Sequence, residues 1–400
     1  MKIALIKEGK RPADRRVAFT PSQLINIQEN FPDLIFKIEP SDVRSFEDEE
    51  YQSLGLEVST DLSDCDLLIG IKEVPVPQLI PNKSYLFFSH TIKKQPFNKL
   101  LLEAILEKQI KLIDYEVIKN ADGERLVAFG RWAGIVGAYN GLWTYGQKSG
   151  LYDIKRAFMC FDRSELDEEL SKVQLPPIKI VVTGTGRVGK GVVEVLLTAG
   201  VKQVDRQGFL TSYFDGPVFT VLSSSDYNRR KTDGGFDRIE FYQDPSGYES
   251  HFLKFAEVSD ILMAAAYWDS RAPKLFIPKD IQSEDFNISV IADITCDIHG
   301  SVPTTIRASR VADPVYDVDR HTFEELPAFG KQDSISVMAI DNLPSELPRD
   351  ASEAFGEMLM QHFIPELMKD DSEIIRKATI TENGELTDDF LYLTDYVQGD

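Results

Sequence analysis

Residues 178–200 read IKIVVTGTGRVGKGVVEVLLTAG. An apolar run over residues 178–183 ends in a GxGxxG turn, and an apolar helical pattern over residues 188–198 follows the turn. In such a strand-turn-helix frame, the first glycine permits the tight turn, the second lets the backbone approach a pyrophosphate, and the third allows close helix-strand packing. The helix N-terminus also favours an anion. We therefore predict a dinucleotide-phosphate site, the alternative being a turn without a ligand, at Gly184, Gly186, Arg187, Val188 and Gly189.

The residues after the next predicted strand, 218–222, bear on which dinucleotide binds. At this position an acidic side chain binds the ribose diol of NAD, whereas an arginine accepts the 2′-phosphate of NADP. Asp226 favours NAD and the basic run 229–231, with Arg230 at its centre, favours NADP, while a solvated surface loop explains the same charges. The predicted cofactor is therefore NAD or NADP. The candidate cofactor residues are completed by Ser225 and by Tyr267, for which packing is the alternative role.

The composition is that of an acidic globular protein. With 400 residues, of which 42% are hydrophobic, the chain is long enough for two domains with buried cores. The formal net charge is -21, and because nucleic acids and anionic membranes bind clustered positive charge, we predict neither as a partner. The three cysteines, Cys65, Cys160 and Cys296, are far apart and lack metal-ligand spacing, so we predict no disulfide framework and no metal site.

The beginning of the sequence does not resemble a targeting signal. Residues 1–9 form a short strand-like run with early charge, and no apolar run approaches the length of a transmembrane helix. We therefore predict a cytoplasmic protein that acts on small molecules. The sequence leaves open whether it is a monomer or a homodimer.

Short apolar runs alternate with helix-length amphipathic segments from the start of the chain. The first series of predicted strands comprises residues 2–6, 34–38, 66–71, 84–89 and 111–114, with helices predicted at residues 21–30 and 95–108. The second series of predicted strands comprises residues 178–182, 218–222, 261–266, 288–294 and 335–340. This alternation predicts an α/β fold of two doubly wound, Rossmann-like domains with a cleft between them.

The segments between and after these series set the predicted domain limits. Residues 131–150 carry glycines at small-residue spacing, which predicts a tightly packed connecting helix. Residues 345–367 predict a helix that returns the chain to its first domain, and an acidic, turn-rich tail begins at residue 379. The predicted limits are residues 1–134 plus 342–400 for a substrate-binding domain and residues 135–341 for the NAD(P)-binding domain.

Several motifs together give the chain a family resemblance over nearly its whole length. They are residues 11–21 (RPADRRVAFTP), 70–74 (GIKEV), 85–93 (YLFFSHTIK), 112–116 (LIDYE), 127–134 (VAFGRWAG), 182–186 (VTGTG) and 340–351 (IDNLPSELPRDA). With these motifs the chain resembles saccharopine dehydrogenase of the lysine-forming type, including the lysine-2-oxoglutarate reductase part of aminoadipic semialdehyde synthase. Alanine dehydrogenase is similar at a greater distance and has the same architecture.

The resemblance implies a reaction and roles for particular residues. In this family, lysine and 2-oxoglutarate condense reversibly to an imine that a reduced nicotinamide converts to saccharopine. By this resemblance Lys72 and His90 match the general acid-base pair. The residues that match the lining of the substrate pocket, with Arg125 as a weaker match, are Arg16, Glu73, Glu116 and Asp341.

The chemistry of these residue types suits that reaction. Imine formation needs a proton delivered to a carbinolamine oxygen and another removed from nitrogen, so groups that titrate near neutrality should face the reacting carbon. A histidine does so unperturbed, whereas Lys72 needs its pKa lowered by burial or a neighbouring cation. Arg16 can hold a substrate carboxylate with two hydrogen bonds. Taken alone, His90 would be interpreted as a structural histidine and Lys72 as a solvated lysine; the family resemblance favours the functional roles instead.

Both acid-base candidates follow predicted strands, so we expect them to be neighbours, because ligands in open α/β sheets gather at the carboxyl ends of strands. Two other functions compete with the saccharopine-type reductase. One is an alanine dehydrogenase-like enzyme or another opine or amino-acid dehydrogenase. The other is a non-catalytic dinucleotide-binding regulator, which the presence of both Lys72 and His90 disfavours.

Overall fold

The computed structural model describes residues 1–330 and 333–399. Its strands are β1 (Lys2–Leu5), β2 (Ile35–Ile38), β3 (Glu57–Val58), β4 (Leu67–Ile69), β5 (Ser84–Phe87), β6 (Lys111–Asp114), β7 (Lys179–Thr183), β8 (Lys202–Gln203), β9 (Val218–Leu222), β10 (Asn228–Arg230), β11 (Tyr248–Ser250), β12 (Ile261–Ala264), β13 (Val290–Asp293), β14 (Val315–Asp319), β15 (Glu325–Leu326), β16 (Ser334–Met338), β17 (Thr379–Glu382) and β18 (Glu385–Leu386).

The α-helices are α1 (Pro21–Asn30), α2 (Asp48–Ser53), α3 (Lys99–Glu107), α4 (Gly130–Ser149), α5 (Arg163–Leu170), α6 (Arg187–Thr198), α7 (Arg206–Thr211), α8 (Ser224–Tyr227), α9 (Arg238–Gln243), α10 (Leu253–Ala256), α11 (Pro348–His362), α12 (Ile364–Leu367), α13 (Glu373–Ala378) and α14 (Thr394–Gln398). Short 3-10 turns join several of these elements. Across the ranges that the structure describes, no helix is both long and apolar enough to cross a membrane.

The chain forms two compact units. The first is Met1–Phe129 together with the segment from Pro348 onward, and the second is Gly130–Leu347. The division lies a few residues away from the predicted limits of 134 and 341. Residues 130–134 belong to the second unit because they begin α4, which packs along α6. The 3-10 turn Leu343–Glu346 also packs on α4, which places residues 342–347 in the second unit.

In the first unit, the described residues form an eight-stranded sheet in the order β18-β17-β6-β5-β4-β1-β2-β3. Strands β1 to β6 pair with one another in parallel. The chain moves from β1 to β2 on one side and returns to β4 on the other, so the strand order reverses at β1. Such a reversal leaves a crevice at the carboxyl ends of the strands, where ligands of open α/β sheets bind.

Side chains on both faces of this sheet are buried, as expected for parallel strands covered by helices. Leu67, Ile69 and Leu86 belong to one hydrophobic cluster, whereas the alternating residues Leu68 and Phe87 belong to another. Alternate positions therefore supply the two faces of the sheet. This fixes the strand register, because a one-residue slip would exchange the two sets of side chains.

In the second unit, the described strands include a sheet in the order β15-β14-β16-β13-β12-β7-β9-β8. Six adjacent strands of this sheet are parallel, namely β8, β9, β7, β12, β13 and β16, whereas β14 and β15 pair antiparallel at one edge. The strand order reverses at β7, directly before the glycine turn. The predicted α/β class with two parallel-dominated, Rossmann-like sheets is confirmed by this topology.

The contact between α4 and α6 explains the glycine spacing noted in the sequence. A Cβ atom at Gly134 would lie 1.9 Å from the carbonyl oxygen of Val188, and one at Gly191 would lie 2.1 Å from that of Arg131. Neither position has room for a side chain, so the two helix backbones touch. The prediction of a tightly packed connecting helix is confirmed.

Two predictions near the C-terminus need correction. The predicted helix 345–367 is divided, because Pro365 in α12 cannot continue the hydrogen-bond pattern of α11. The tail that was predicted to be turn-rich contains β17 and β18, and β17 pairs antiparallel with β6. Strand β17 reads TITE, so it lacks the apolar run by which the other strands were identified. Strand β14 was not predicted for a similar reason, because its sequence, VYDVD, contains two aspartates among its apolar residues.

Candidate active site

The carboxyl edge of the first sheet gathers most of the predicted site residues. Lys72 and Glu73 follow β4, His90 follows β5, and Glu116 follows β6, all within four residues of a strand end. Strands β4, β5 and β6 are neighbours in the sheet. The acid-base candidates thus follow neighbouring strands, and Glu73, the residue after Lys72, pairs with His90.

Glu73 pairs with two basic side chains. The Nδ1 atom of His90 lies 2.6 Å from one Glu73 carboxylate oxygen, and Lys10 Nζ lies 2.7 Å from the other. Burial by itself would raise the pKa of Glu73, but the hydrogen bonds from His90 and Lys10 outweigh burial and lower this pKa to about 2. Glu73 is therefore an anion, and the Nδ1–H donor that it favours leaves Nε2 of a neutral His90 as the proton acceptor.

Lys72 occupies a setting that destabilises its charged form. Burial lowers the pKa of the Lys72 amine, and the nearby guanidinium of Arg16 lowers it further, while Asp14 opposes both effects. This is the direction that proton transfer near neutral pH requires of a lysine. Lys72 is partly buried, and its role in proton transfer stays a prediction.

Arg16 is buried and already bonded to a carboxylate of the protein. Its Nε donates to Asp14 Oδ1 at 2.9 Å and its Nη2 donates to Oδ2 at 2.6 Å, while its guanidinium carbon lies 4.2 Å from the centre of the Phe129 ring. The bidentate hydrogen-bonding pattern that was predicted for a substrate carboxylate is thus made with Asp14. The predicted role of Arg16 as a substrate ligand stays a prediction.

Glu116 has one engaged and one unengaged carboxylate oxygen. Its Oε1 lies 3.0 Å from Lys93 Nζ and 3.6 Å from Arg125 Nη1. Its Oε2 is buried and has no hydrogen-bond partner among the described residues. Because buried polar atoms are normally paired, an unpaired carboxylate oxygen marks a place for a donor from a ligand, such as a substrate ammonium.

Asp341, the remaining predicted substrate residue, belongs to the second unit. It is exposed and follows β16 by three residues. Its role in substrate binding stays a prediction.

In the second unit, the three glycines of the GxGxxG turn are required for three different reasons. Gly184 has φ of +101°, which favours glycine, and a Cβ atom there would lie 2.7 Å from the carbonyl oxygen of Ala265. A Cβ atom at Gly189 would lie 1.9 Å from the carbonyl oxygen of Gly184. At Gly186, the N-cap of α6, a Cβ atom would meet nothing within 4 Å. Gly186 therefore leaves open space at a helix N-terminus, which fits a pyrophosphate.

The residues predicted to select the cofactor already have protein partners. The Asp226 carboxylate accepts hydrogen bonds of 2.7 Å from both the backbone N–H and the hydroxyl of Ser223, capping α8, and it pairs with Arg206. Arg230 pairs with Asp233 at 2.7 Å and with Glu240 at 2.6 Å. These contacts fit the surface-loop alternative for Arg230, and neither residue settles the choice between NAD and NADP.

The other two cofactor candidates differ in their surroundings. Ser225 Oγ lies 2.9 Å from Ser223 Oγ, beside the Asp226 cap. Tyr267 follows β12 and is 89% exposed, so the packing role that was its alternative is wrong. An exposed aromatic ring just beyond a carboxyl strand end is available to a ligand.

Sequence reasoning missed several charged residues at the carboxyl edge of the first sheet. Glu8 follows β1, and its carboxylate accepts the backbone N–H groups of Ile71 at 2.6 Å and Lys72 at 2.9 Å. Burial, with a contribution from Asp14, raises the pKa of Glu8 to about 8. The position of Glu8 after β1, at a carboxyl strand end as Lys72 is after β4, was a usable signal. Within residues 1–330 and 333–399, no group of His, Cys, Asp and Glu is arranged to hold a metal ion.

The depressed pKa of Glu73 predicts a specific acid sensitivity. A carboxyl with pKa about 2 in the folded chain and 4.5 ordinarily stabilises the fold fully above pH 4.5 and loses this contribution as pH falls towards 2. We expect Glu73→Gln to remove the uptake of about one proton on unfolding in this range, which flattens the dependence of unfolding free energy on pH. Urea unfolding at several pH values between 3 and 6 measures this dependence of the unfolding free energy on pH. Glu29→Gln, on the exposed face of α1, serves as control, and equal slopes for the two variants would contradict the Glu73 assignment.

Comparison with known proteins agrees with this geometry. Residues 4–136 match the family model described as alanine dehydrogenase/PNT, N-terminal domain, and residues 168–389 match its C-terminal domain. Two solved structures share the fold: an L-alanine dehydrogenase (TM-score 0.67, 15% identity, covering 100% of this chain and 99% of that one) and a transhydrogenase from Sinorhizobium meliloti (TM-score 0.62, 13% identity, covering 97% and 100%).

Among curated relatives, the alpha-aminoadipic semialdehyde synthase of Rattus norvegicus is 31% identical, over 98% of this chain and 47% of the relative. That of Arabidopsis thaliana is 29% identical, over 98% and 41%. The chain thus spans about half the length of these relatives. The saccharopine dehydrogenase [NAD(+), L-lysine-forming] of Yarrowia lipolytica is 24% identical, over 93% of this chain and 94% of the relative. With the C-terminal family model alone matching more than half of its residues, the chain belongs to the alanine dehydrogenase/PNT family.

Proposed function

We propose that this chain is an NAD(P)-dependent oxidoreductase that joins lysine and 2-oxoglutarate reversibly to form saccharopine. The observation that carries the proposal is the group of side chains at the carboxyl edge of the first sheet, where His90 bonds to Glu73 and the adjacent Lys72 has a lowered pKa. The names of the Rattus and Yarrowia relatives point to the same chemistry.

The acid-base work divides between Lys72 and His90 according to their surroundings. Lys72, whose burial favours the neutral amine, accepts the proton that the substrate amine must lose before it attacks a carbonyl carbon. His90, held at Nδ1 by Glu73, exchanges a proton at Nε2 with the carbinolamine oxygen that leaves as water. When bound, the reduced nicotinamide supplies the hydride that turns the imine into a secondary amine.

Charged residues at the same edge suit substrates that carry both ammonium and carboxylate groups. The unpaired Oε2 of Glu116 accepts a substrate ammonium, and the cations Lys93 and Arg125 lie beside its other oxygen. A small-molecule amino acid and a 2-oxo acid therefore find both signs of charge here. Arg16 and Asp341 remain further candidates for substrate contacts.

The cofactor site that we propose is the turn of Gly184, Gly186, Arg187, Val188 and Gly189. Its support is the open space at Gly186 and the exposed N-terminus of the twelve-residue helix α6. Ser225, Asp226, Arg230 and Tyr267 are the proposed residues for the nucleoside and nicotinamide portions. The cytoplasmic location and the monomeric or homodimeric state stay predictions.

The cofactor site is tested by Gly186→Val. The new side chain fills space that is open in the folded chain, so we expect normal stability but loss of NADH and NADPH binding, at least 10²-fold by calorimetry. The matched control is Gly216→Val in the same unit, where a Cβ atom also meets nothing within 4 Å. Unchanged cofactor affinity in Gly186→Val would show that the pyrophosphate binds elsewhere.

The reaction is tested by oxidation of NADH and NADPH with 2-oxoglutarate, pyruvate or glyoxylate against lysine, ornithine or ammonia. We expect turnover with 2-oxoglutarate and lysine, and a fall in turnover of roughly 10²–10⁴-fold in Lys72→Met and in His90→Gln, because each removes a general acid-base group. Lys119→Met and His321→Gln, both at exposed positions, are the controls.

Different outcomes of this assay separate the competing functions. Preference for ammonia with pyruvate would make the chain an alanine dehydrogenase-like enzyme. Cofactor binding without turnover for any pair would favour a regulator. Wild-type turnover in Lys72→Met or His90→Gln would overturn the acid-base assignment whatever the substrates are.

A further inference from the structure

Asp114 is a fully buried carboxylate at the last position of β6 that the proposed reaction does not use. Its Oδ2 accepts hydrogen bonds from the backbone N–H of Ser89 at 2.8 Å and from the Ser89 hydroxyl at 2.5 Å. Its Oδ1 accepts the backbone N–H of Glu116 at 2.7 Å. One side chain thus binds the segment that leaves β5 and the segment that leaves β6.

The segment that leaves β5 holds His90 in an unusual backbone conformation. His90 has φ of 55° and ψ of 10°, the left-handed region, which a residue with a side chain rarely adopts. Such conformations persist where the surroundings over-determine them. A local network therefore has to hold His90 in place.

The residues on both sides of His90 belong to such a network. Ser89 Oγ lies 2.8 Å from the Thr91 hydroxyl and accepts the backbone N–H of Thr91 at 3.3 Å. Ser89 is in turn bonded to Asp114 through both its N–H and its hydroxyl. Ser89, Thr91 and Asp114 are all buried, so water does not compete for these hydrogen bonds. The backbone of His90 is thereby fixed from both sides.

We propose that Asp114 is a positioning residue that sets the places of His90 and Glu116 together. Acting through Ser89 and Thr91, it holds the left-handed backbone from which the His90 ring reaches Glu73. Acting on the Glu116 amide, it orients the turn that presents the unpaired Oε2 of Glu116. The inference rests on the proposed function for the roles of His90 and Glu116, but the link between their two loops is independent of it.

The chemistry of the site requires a carboxylate at position 114. Three donors point at Asp114, and a carboxylate accepts on both oxygens. An asparagine has one accepting oxygen and one donating NH2 group. Its NH2 group would therefore face the backbone N–H of either Ser89 or Glu116, and two donors cannot form a hydrogen bond with each other. Asp114→Asn should therefore disturb at least one of the two loops without a change in side-chain size.

The experiment compares Ser89→Ala with Asp114→Asn. Ser89→Ala removes the bridge to Thr91 but keeps the bond from the Glu116 amide to Asp114, so it should act on His90 alone. We expect its kcat per cofactor-binding site to fall roughly 10- to 10²-fold with KM for lysine little changed, because a displacement of about 1 Å can cost this much. The solvent deuterium isotope effect on kcat should rise, since proton transfer becomes slower. Asp114→Asn should lower kcat and also raise KM for lysine through Glu116.

A matched control comes from the second unit. Ser336 is a buried serine whose hydroxyl lies 2.6 Å from the buried carboxylate of Asp317, as Ser89 lies against Asp114. Ser336→Ala should lose comparable stability but keep wild-type kcat, KM and isotope effect per cofactor-binding site. The number of cofactor-binding sites is measured by calorimetry, and kcat is expressed per site, so that a difference in the folded fraction of the variants does not affect the comparison.

The outcomes separate this inference from the proposed function. If Ser89→Ala matches Ser336→Ala in kcat and isotope effect, the positioning role is overturned. If Asp114→Asn does not fold, the Ser89→Ala comparison still decides. If the wild type does not turn over lysine and 2-oxoglutarate, the proposed function fails, and amide hydrogen exchange decides for Asp114: faster exchange in both segments 88–93 and 115–117 of Asp114→Asn supports the link, and unchanged exchange overturns it.

Discussion

Backbone N–H and C=O groups beyond the ends of parallel strands no longer have hydrogen-bond partners in the sheet. In the first unit, side chains form hydrogen bonds with these backbone groups instead. Glu8 after β1 accepts the amides of Ile71 and Lys72 after β4. Tyr115 after β6 donates its hydroxyl to the carbonyl oxygen of Gly70 at 3.0 Å. Asp114, at the end of β6, accepts the backbone N–H of Ser89 after β5 and so links that segment as well. The segments that leave four strands are therefore bonded to one another, and the candidate active site depends on these bonds for its geometry.

The same side chains control the charges at this edge. Glu8 has a pKa of about 8 because burial and the neighbouring Asp14 outweigh its two backbone hydrogen bonds. Burial and then Arg16 lower the pKa of Lys72, while Asp14, bonded to Arg16, opposes both effects. Glu73 is kept ionised by His90 and Lys10. Protonation of one group therefore changes the others, so pH-rate profiles will report properties of the cluster and not of single residues.

The sequence predicted those features that depend on local pattern. The strand, the glycine turn and the helix over residues 178–200 are contiguous, and the reason for each glycine follows from that frame. Lys72 and His90 were singled out by family resemblance, and their positions after strands supported the expectation that they are neighbours. Strands β14 and β17 were missed because they pair antiparallel and lack an apolar run, so only their partners in the sheet identify them.

Features that depend on distant residues were beyond sequence reasoning. The bonds from Asp114 to Ser89 and from Glu8 to Lys72 join residues 25 and 64 positions apart, and spacing gives no sign of them. Asp226 and Arg230 also pair with Arg206 and Glu240, which lie 20 and 10 positions away, and the sequence pattern did not indicate these pairings. The limits of the units moved because α4 packs on α6.

The measurement that tests the central claim most directly is a crystal structure of the full chain with saccharopine bound. We predict that the ligand lies at the carboxyl edge of the first sheet, with polar atoms within about 3.2 Å, or one bridging water, of Lys72 Nζ, His90 Nε2 and Glu116 Oε2. Saccharopine bound at the opposite edge of that sheet, or away from Lys72 and His90, would contradict the account.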